Sequence, residues 1–339
     1  MFKFIFKIII AIIILIAVVL SGFYFLGRNH EPEQITYGIS FSQKFANELE
    51  LDWKETYLAI LDDLNIKKLR LIAYWDLIEK EQGIYNFSDL DWQVKQAKER
   101  GAEIIMTIGY KLPRWPECHI PEWIVENHDF KKENSAFLKE PLLTMLETVV
   151  KHYKDEPSVK AWQIENEPFV KFGICPKSSA ELLDQEIHLV KAFDSRPVII
   201  TDSGELSLWY RAGKRADIFG TTLYRKVWNK YLKYIDYPIP AWFYSLRAKM
   251  VKFFLRKPII VSEMQAEPWG HKAIYQMSLD EQFKSMNAER LIEIIEFEKK
   301  TGISEVYFWG AEWWYWLKQK YNNDSLWQAV KNITQHLSK

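Results

Sequence analysis

Cysteine is nearly absent. The 339-residue chain holds two, Cys118 and Cys175, so at most one internal disulfide can form. Net charge is absent as well, with 45 basic and 45 acidic side chains. That balance offers no strongly basic face, and no nucleic-acid partner is expected. No Gly-rich G-x-G-x-x-G turn follows the first strand-like run, which removes the main support for a dinucleotide-binding sheet. No internal repeat is visible. His119 and His271 stand alone on loops with no ligand cluster around either, so no metal and no organic cofactor is expected.

Two features are present in excess. The first is aromatic content: 15 Trp, 17 Tyr and 20 Phe. A large core uses such residues, and so does a sugar site, where indole faces stack on pyranose C–H faces. The second is an apolar run over residues 8–26, uncharged throughout. At about 1.5 Å rise per residue it nearly spans a hydrocarbon core of about 30 Å. Lys3 and Lys7 precede it and only Arg28 follows closely, so the charge rule predicts a cytoplasmic N-terminus with the rest outside. The expectation is a single-pass membrane anchor over 1–27 in contact with the lipid bilayer through 8–26. A short linker, 28–34, and one catalytic domain, 35–339, would follow. The alternative is a cleaved signal and a secreted protein.

From residue 35 onward, strand-like and helix-like segments alternate. Strands are expected at 35–41, 68–74, 103–108, 159–165, 197–201, 218–223, 258–262 and 305–309. Helices are expected at 52–64, 88–100, 135–153, 180–193, 205–213, 242–255, 278–300 and 326–337. Ser88 reads as an N-cap and Gly101 as a helix stop. Eight uninterrupted β-then-α units imply a parallel sheet with helical crossovers, and the count fits a (β/α)8 TIM barrel.

In such a barrel the residues at strand C-termini converge on one rim. Strand two carries Arg70 and ends at Trp75. Strand three ends in Gly109-Tyr110-Lys111, and strand four in Asn166-Glu167-Pro168. Strand six ends at Tyr224 and strand seven at Glu263. Strand eight ends at Trp309, with Glu312 just beyond. Two glutamates about a hundred residues apart thereby face one cleft, the minimum equipment for cleaving a glycosidic bond.

These motifs, in this order, resemble clan A of the glycoside hydrolases, the retaining TIM-barrel enzymes that include cellulase-like and β-galactosidase-like families. The resemblance covers about residues 36–338. It implies Glu167 as acid/base, Glu263 as nucleophile, Arg70 and Tyr224 as supports of the nucleophile, and Trp309 as an aromatic floor under the sugar. The stretch from Trp75 to Phe87 also resembles the segment after strand two in several clan families. One departure stands out: many clan members place a His after strand three, and here that stretch reads Thr107 to Trp115 with none.

The physics of the roles is consistent with the resemblance. A nucleophile must stay ionised, which a cation such as Arg70 and a donor such as Tyr224 favour. An acid must start protonated, which burial and a neighbouring carboxylate favour. Asn166 suits a hydrogen bond to the sugar 2-OH. Rival assignments are Glu165 for the acid and Glu267 for the nucleophile. Trp75, Trp115 and Trp269 are subsite platforms or core, Glu312 lines the sugar pocket or packs, and Lys111 or Arg114 contacts a substrate hydroxyl. Cys118 and Cys175 fall on neighbouring rim loops and are expected to pair. The function expected is a retaining β-glycoside hydrolase acting on a poly- or oligosaccharide. The alternatives are a carbohydrate-binding pseudoenzyme and a transglycosylase on the same barrel.

Overall fold

The computed structural model describes residues 2–28, 31–126 and 135–336. Its centre is a closed barrel of eight parallel strands. In chain order these are β1 (Thr36–Phe41), β2 (Lys68–Ile72), β3 (Glu103–Ile108), β4 (Val159–Ile164), β5 (Val198–Asp202), β6 (Ile218–Leu223), β9 (Ile259–Gln265) and β10 (Glu305–Trp309). The missing numbers belong to a hairpin, β7 (Lys226–Asn229) with β8 (Lys233–Asp236), which stands outside the barrel. Strand neighbours follow chain order, and β10 closes on β1 through Thr36↔Glu305 to Ser40↔Trp309. Every barrel strand is buried almost throughout. This is why the strands read as continuous apolar runs and not as alternations.

Local signals explain the helix boundaries. Asp52 caps the helix Trp53–Asp62 by accepting from Lys54 N and Glu55 N. Ser179 does the same for Ala180–Phe193 through Leu182 N. Ser88 is the first helical residue and not the cap. The cap position is Phe87, and the Asn86 side chain takes the Ser88 N–H. The helix expected over 278–300 is broken into Leu279–Gln282 and Ala288–Lys299, because Asn287 caps the second piece through Arg290 N.

Several elements escaped the sequence pattern, short helices such as Gln43–Glu48 and Glu122–Val125 among them, and two matter most here. The β7–β8 hairpin turns on Asn229, whose side chain accepts from Tyr231 N and Leu232 N, with Lys233 left-handed at φ 61°. No Asn-Gly or Asp-Gly pair announces it. The second is the helix Ala311–Tyr321 directly after β10, which buries Trp313, Trp314 and Trp316.

The expected membrane anchor is corrected. Among the described residues no helix is long and apolar enough to cross a membrane. The helix Phe2–Gly27 is instead docked on the barrel at its C-terminal end. Tyr24 lies edge-on to Trp242 at 6.1 Å. Gly27 sits where any Cβ would come within 2.3 Å of the Trp242 carbonyl. Lys249 Nζ donates to the carbonyls of Leu26 and Arg28 at 2.9 and 2.7 Å. The single-pass localisation and the bilayer contact through 8–26 fall with the anchor.

Candidate active site

The C-terminal rim of the barrel opens into a cavity of about 920 Å³, lined among others by Glu117, Asn166, Glu167, Tyr224, Glu263 and Trp309. Beneath it the barrel interior changes character. One layer is apolar, with Ile105, Ala161, Ile199, Ile260 and Tyr307 packed together. Above it sit Ser40, Arg70, Gln163 and Thr201, polar and fully buried. Buried polar groups need partners, and here the partners are each other and the rim.

Arg70 is the hub. Its guanidinium donates to Gln163 Oε1 at 2.6 Å, to Glu263 Oε1 at 2.8 Å, to Asn166 Oδ1 at 2.9 Å and to Ser40 Oγ at 3.3 Å. The Tyr224 hydroxyl donates to the other Glu263 oxygen at 3.2 Å. Both neighbouring pairings slip at this point of β9. Thr221 faces Val261 and Thr222 already faces Glu263, which makes Ser262 the extra residue of a bulge. Bulges next to a site re-aim side chains. Burial, followed by the Glu263 charge, holds the Tyr224 hydroxyl well above the usual tyrosine range, so it remains a donor.

Glu167 lies on the other side of the cavity in a different setting. Its backbone is left-handed at φ 44°, and so is that of Glu165 at φ 58°. Glu167 N donates to Thr201 Oγ1 at 2.9 Å, and Thr222 Oγ1 donates to Glu167 Oε1 at 3.3 Å. Among the described residues no cation is hydrogen-bonded to its carboxyl group. Burial first and the Glu263 charge second push its pKa well above the usual carboxyl range.

Glu165, the rival acid, faces away from the cavity. Its two oxygens accept the N–H groups of Tyr110 at 3.0 Å and Lys111 at 2.6 Å. Gly109, at φ 134°, makes room, since a Cβ there would sit 2.3 Å from Glu165 Oε1. Glu267, the rival nucleophile, lines the cavity but is paired to Arg114 at 2.5 Å. Arg114 also reaches Glu312 at 3.2 Å and lies between the rings of Phe45 and Trp309, 3.7 and 3.9 Å from their centroids. One face of Trp309 is therefore covered by a guanidinium.

Other expected site residues divide. Trp269 and Trp115 line the cavity mouth. Trp75 does not reach it: it is fully buried, with its indole N–H on Glu79 at 2.6 Å. Glu312 also stays beneath the surface, fixed by the helix Ala311–Tyr321 and accepting from Ser42 N. Of the two residues expected to contact a substrate hydroxyl, Lys111 spends its ammonium on the carbonyls of Glu167 and Val170, whereas Arg114 lines the cavity while pairing with Glu267 and Glu312. Cys118 and Cys175 form a disulfide with Cα atoms 5.3 Å apart, tying the loop after β3 to the loop after β4.

Three cavity carboxyls were missed, Glu48, Glu117 and Glu205. Glu117, left-handed at φ 74°, is hydrogen-bonded to Asn166, and burial pushes it up to about 8. Glu205, after β5, accepts from Tyr224 N at 2.8 Å and Tyr244 OH at 2.7 Å, and burial pushes it up to about 7. Glu205 follows a strand end by three residues, a signal available in the sequence. Glu117 lies inside a loop and carries none.

Comparison with known proteins adds an independent line. The sequence profile of glycoside hydrolase family 42, beta-galactosidase, matches residues 49–182. Beta-galactosidase LacZ of Lactobacillus acidophilus is 28% identical over 116 residues, 31% of this chain and 17% of that protein. Mannan endo-1,4-beta-mannosidase 4 of Solanum lycopersicum is 23% identical over 142 residues, 36% of this chain and 35% of that protein. The beta-galactosidase matches span under a third of those proteins' own lengths. In fold, the beta-galactosidase from Bacillus circulans sp. alkalophilus superposes with a TM-score of 0.64 at 11% identity, over 90% of this chain and 56% of that one. Barrel, profile and relatives together make the chain similar to clan A of the glycoside hydrolases.

Proposed function

We propose that the protein is a retaining β-glycoside hydrolase in which Glu263 is the nucleophile and Glu167 the acid/base. The observation that carries this reading is the unequal treatment of the two carboxyls. Glu263 is hydrogen-bonded to a buried guanidinium and a phenol, charge-assisted contacts suited to a nucleophile. Glu167 is buried beside that charge without a cation on its carboxyl, which favours its protonated form. Glu263 attacks the anomeric carbon while Glu167 protonates the leaving oxygen. Glu167, now ionised, then takes a proton from the water that cleaves the glycosyl ester.

The substrate is a poly- or oligosaccharide with a β-linked galactose- or mannose-type sugar, following the relatives' activities. Aromatic rings continue outward from the site. Trp115, 60% exposed, contacts Phe172 at 6.2 Å, and Phe172 contacts Trp269 at 5.7 Å. Such a row suits stacking of further sugar units beyond the bond that is cut. The test is a pair of 2-deoxy-2-fluoro β-glycosides, galacto and manno, with dinitrophenyl leaving groups. The expected result is stoichiometric inactivation, with the added mass on the peptide carrying Glu263. Labelling of Glu267 in its place would reject the assignment.

A further inference from the structure

Lys111 is buried at the end of the loop-forming side of β3, and its ammonium group is not aimed at the cavity. Nζ donates to the Glu167 carbonyl at 2.8 Å and to the Val170 carbonyl at 2.7 Å. The same residue's carbonyl accepts Asn166 N at 2.6 Å, and its N–H is held by the Glu165 carboxylate at 2.6 Å. One lysine thereby touches each of three consecutive residues, Glu165, Asn166 and Glu167. Two of these have a left-handed backbone that L-residues adopt only when their surroundings impose it. The lysine itself is fixed from outside the site. It pairs as a bridge with Cys118, and Cys118 is joined to Cys175 beyond β4.

We propose that Lys111 is the positioning residue of the acid/base: it holds the turn that presents the Glu167 carboxyl to the glycosidic oxygen and supplies the buried positive charge beside it. This rests on the reading of Glu167 as the acid. Two backbone carbonyls at its tip suit a long, cationic side chain. Nζ carries three donors, and two backbone carbonyls use two of them. The charges around the pair are Glu117, Glu165, Glu167 and Asp202 facing Lys111, and Glu263, Glu117 and Glu205 facing Glu167. Five of these groups disfavour ionisation of Glu167 or share the lysine, whereas Lys111 opposes them. An acid that is held too strongly protonated gives up its proton poorly, so an opposing charge keeps it in a working range.

The test separates positioning from mere folding. Leaving groups differ in their need for an acid: a dinitrophenolate departs without one, whereas a sugar or alkyl alcohol does not. In Lys111→Met, kcat/KM on an alkyl β-glycoside is expected to fall about 100-fold and on the dinitrophenyl glycoside less than about 3-fold. Lys111→Arg should recover part of the first loss. In parallel, the Glu167 carboxyl is followed by 13C NMR in protein labelled at glutamate and assigned with Glu167→Gln. Its midpoint should rise by about one pH unit in Lys111→Met, the sign expected for removing a neighbouring cation. Equal losses on both glycosides, or an unmoved midpoint, would overturn the proposal. If the wild-type protein hydrolyses neither glycoside, the hydrolase reading fails, and the NMR midpoint alone still decides the role of Lys111. Where Lys111→Met does not fold, Lys111→Gln is read by the same two criteria.

Discussion

The two sides of the cavity solve opposite problems with different materials. On the β6–β9 side, Glu263 is held by charge: Arg70 and Tyr224 each bind one of its oxygens. On the β3–β4 side, Glu167 is held by backbone. Lys111 grips its carbonyl, Thr201 takes its N–H, and a disulfide ties the adjoining loops. A cation bonded to a carboxyl acts on it directly, whereas a cation bonded to the backbone places the carboxyl and acts on its protonation only from a distance. The arrangement therefore fixes both groups in space and puts a guanidinium on only one of the two carboxyls.

The largest test of that contrast is to remove each carboxyl. Glu263→Ala is expected to lower kcat by at least about 10⁴-fold on every substrate, since no glycosyl ester can form. Glu167→Ala should cost about 10²–10⁴-fold on unactivated glycosides and far less on the formation of the ester from activated ones. Steady-state rates on both substrate types, with circular dichroism as a control for folding, read the difference. Equal losses for the two variants across leaving groups would erase the proposed division of labour.

The supports should fail differently too. Arg70→Met strands the Glu263 carboxylate, Gln163 and Asn166 in a dry layer. Breaking a buried pair by removing one partner costs about 3–5 kcal/mol, and a urea titration at pH 7 should show it. Removing the disulfide as Cys118→Ser with Cys175→Ser opens a connection between residues 57 apart in sequence, for which about 2–4 kcal/mol is usual. The first change should abolish activity in whatever protein remains folded. The second should slow unactivated substrates more than activated ones, because it loosens the Glu167 side. A disulfide variant impaired equally on both would argue that the staple serves the whole barrel.

Much of this was legible in the chain because barrel strands are buried on both faces. Runs such as Val159–Ile164 and Ile259–Gln265 stand out as apolar, and any acid at their ends is conspicuous. Glu167, Glu263, Arg70 and Tyr224 were found that way. Loop residues have no such frame. Glu117 reaches the cavity only because Gly173 packs against its Cβ, at a spacing any added Cβ would reduce to 2.5 Å, and because its own φ is positive. Both conditions are tertiary. Of the two readings open for Glu312, the structure takes packing, because the aromatic stretch after β10 is a buried helix whose tryptophans face the core. The N-terminal apolar run shows a limit of another kind, since composition and length describe a span but not what its end packs against.

The smallest effect is also the cleanest separation of burial from neighbouring charge. Glu298, on the helix Ala288–Lys299, is fully buried and does not line the cavity, and its Oε2 has no hydrogen-bond partner among the described residues. Burial pushes its pKa up to about 8, against an opposing hydrogen bond from Thr301. It receives the treatment given to Glu167 without a Glu263 beside it. A raised folded pKa means that its contribution to stability is fully present below the unfolded value, about 4.5 in this case, and is lost as pH rises through about 8. Wild-type protein should therefore lose stability between pH 5 and pH 8, in part through this group. Glu298→Gln cannot ionise and should remove about 3 kcal/mol of the loss between pH 5 and pH 8. Thermal unfolding of both proteins at pH 5, 6.5 and 8 measures it. If the slopes coincide, burial alone does not hold a carboxyl protonated in this fold, and the protonation of Glu167 must rest on the Glu263 charge.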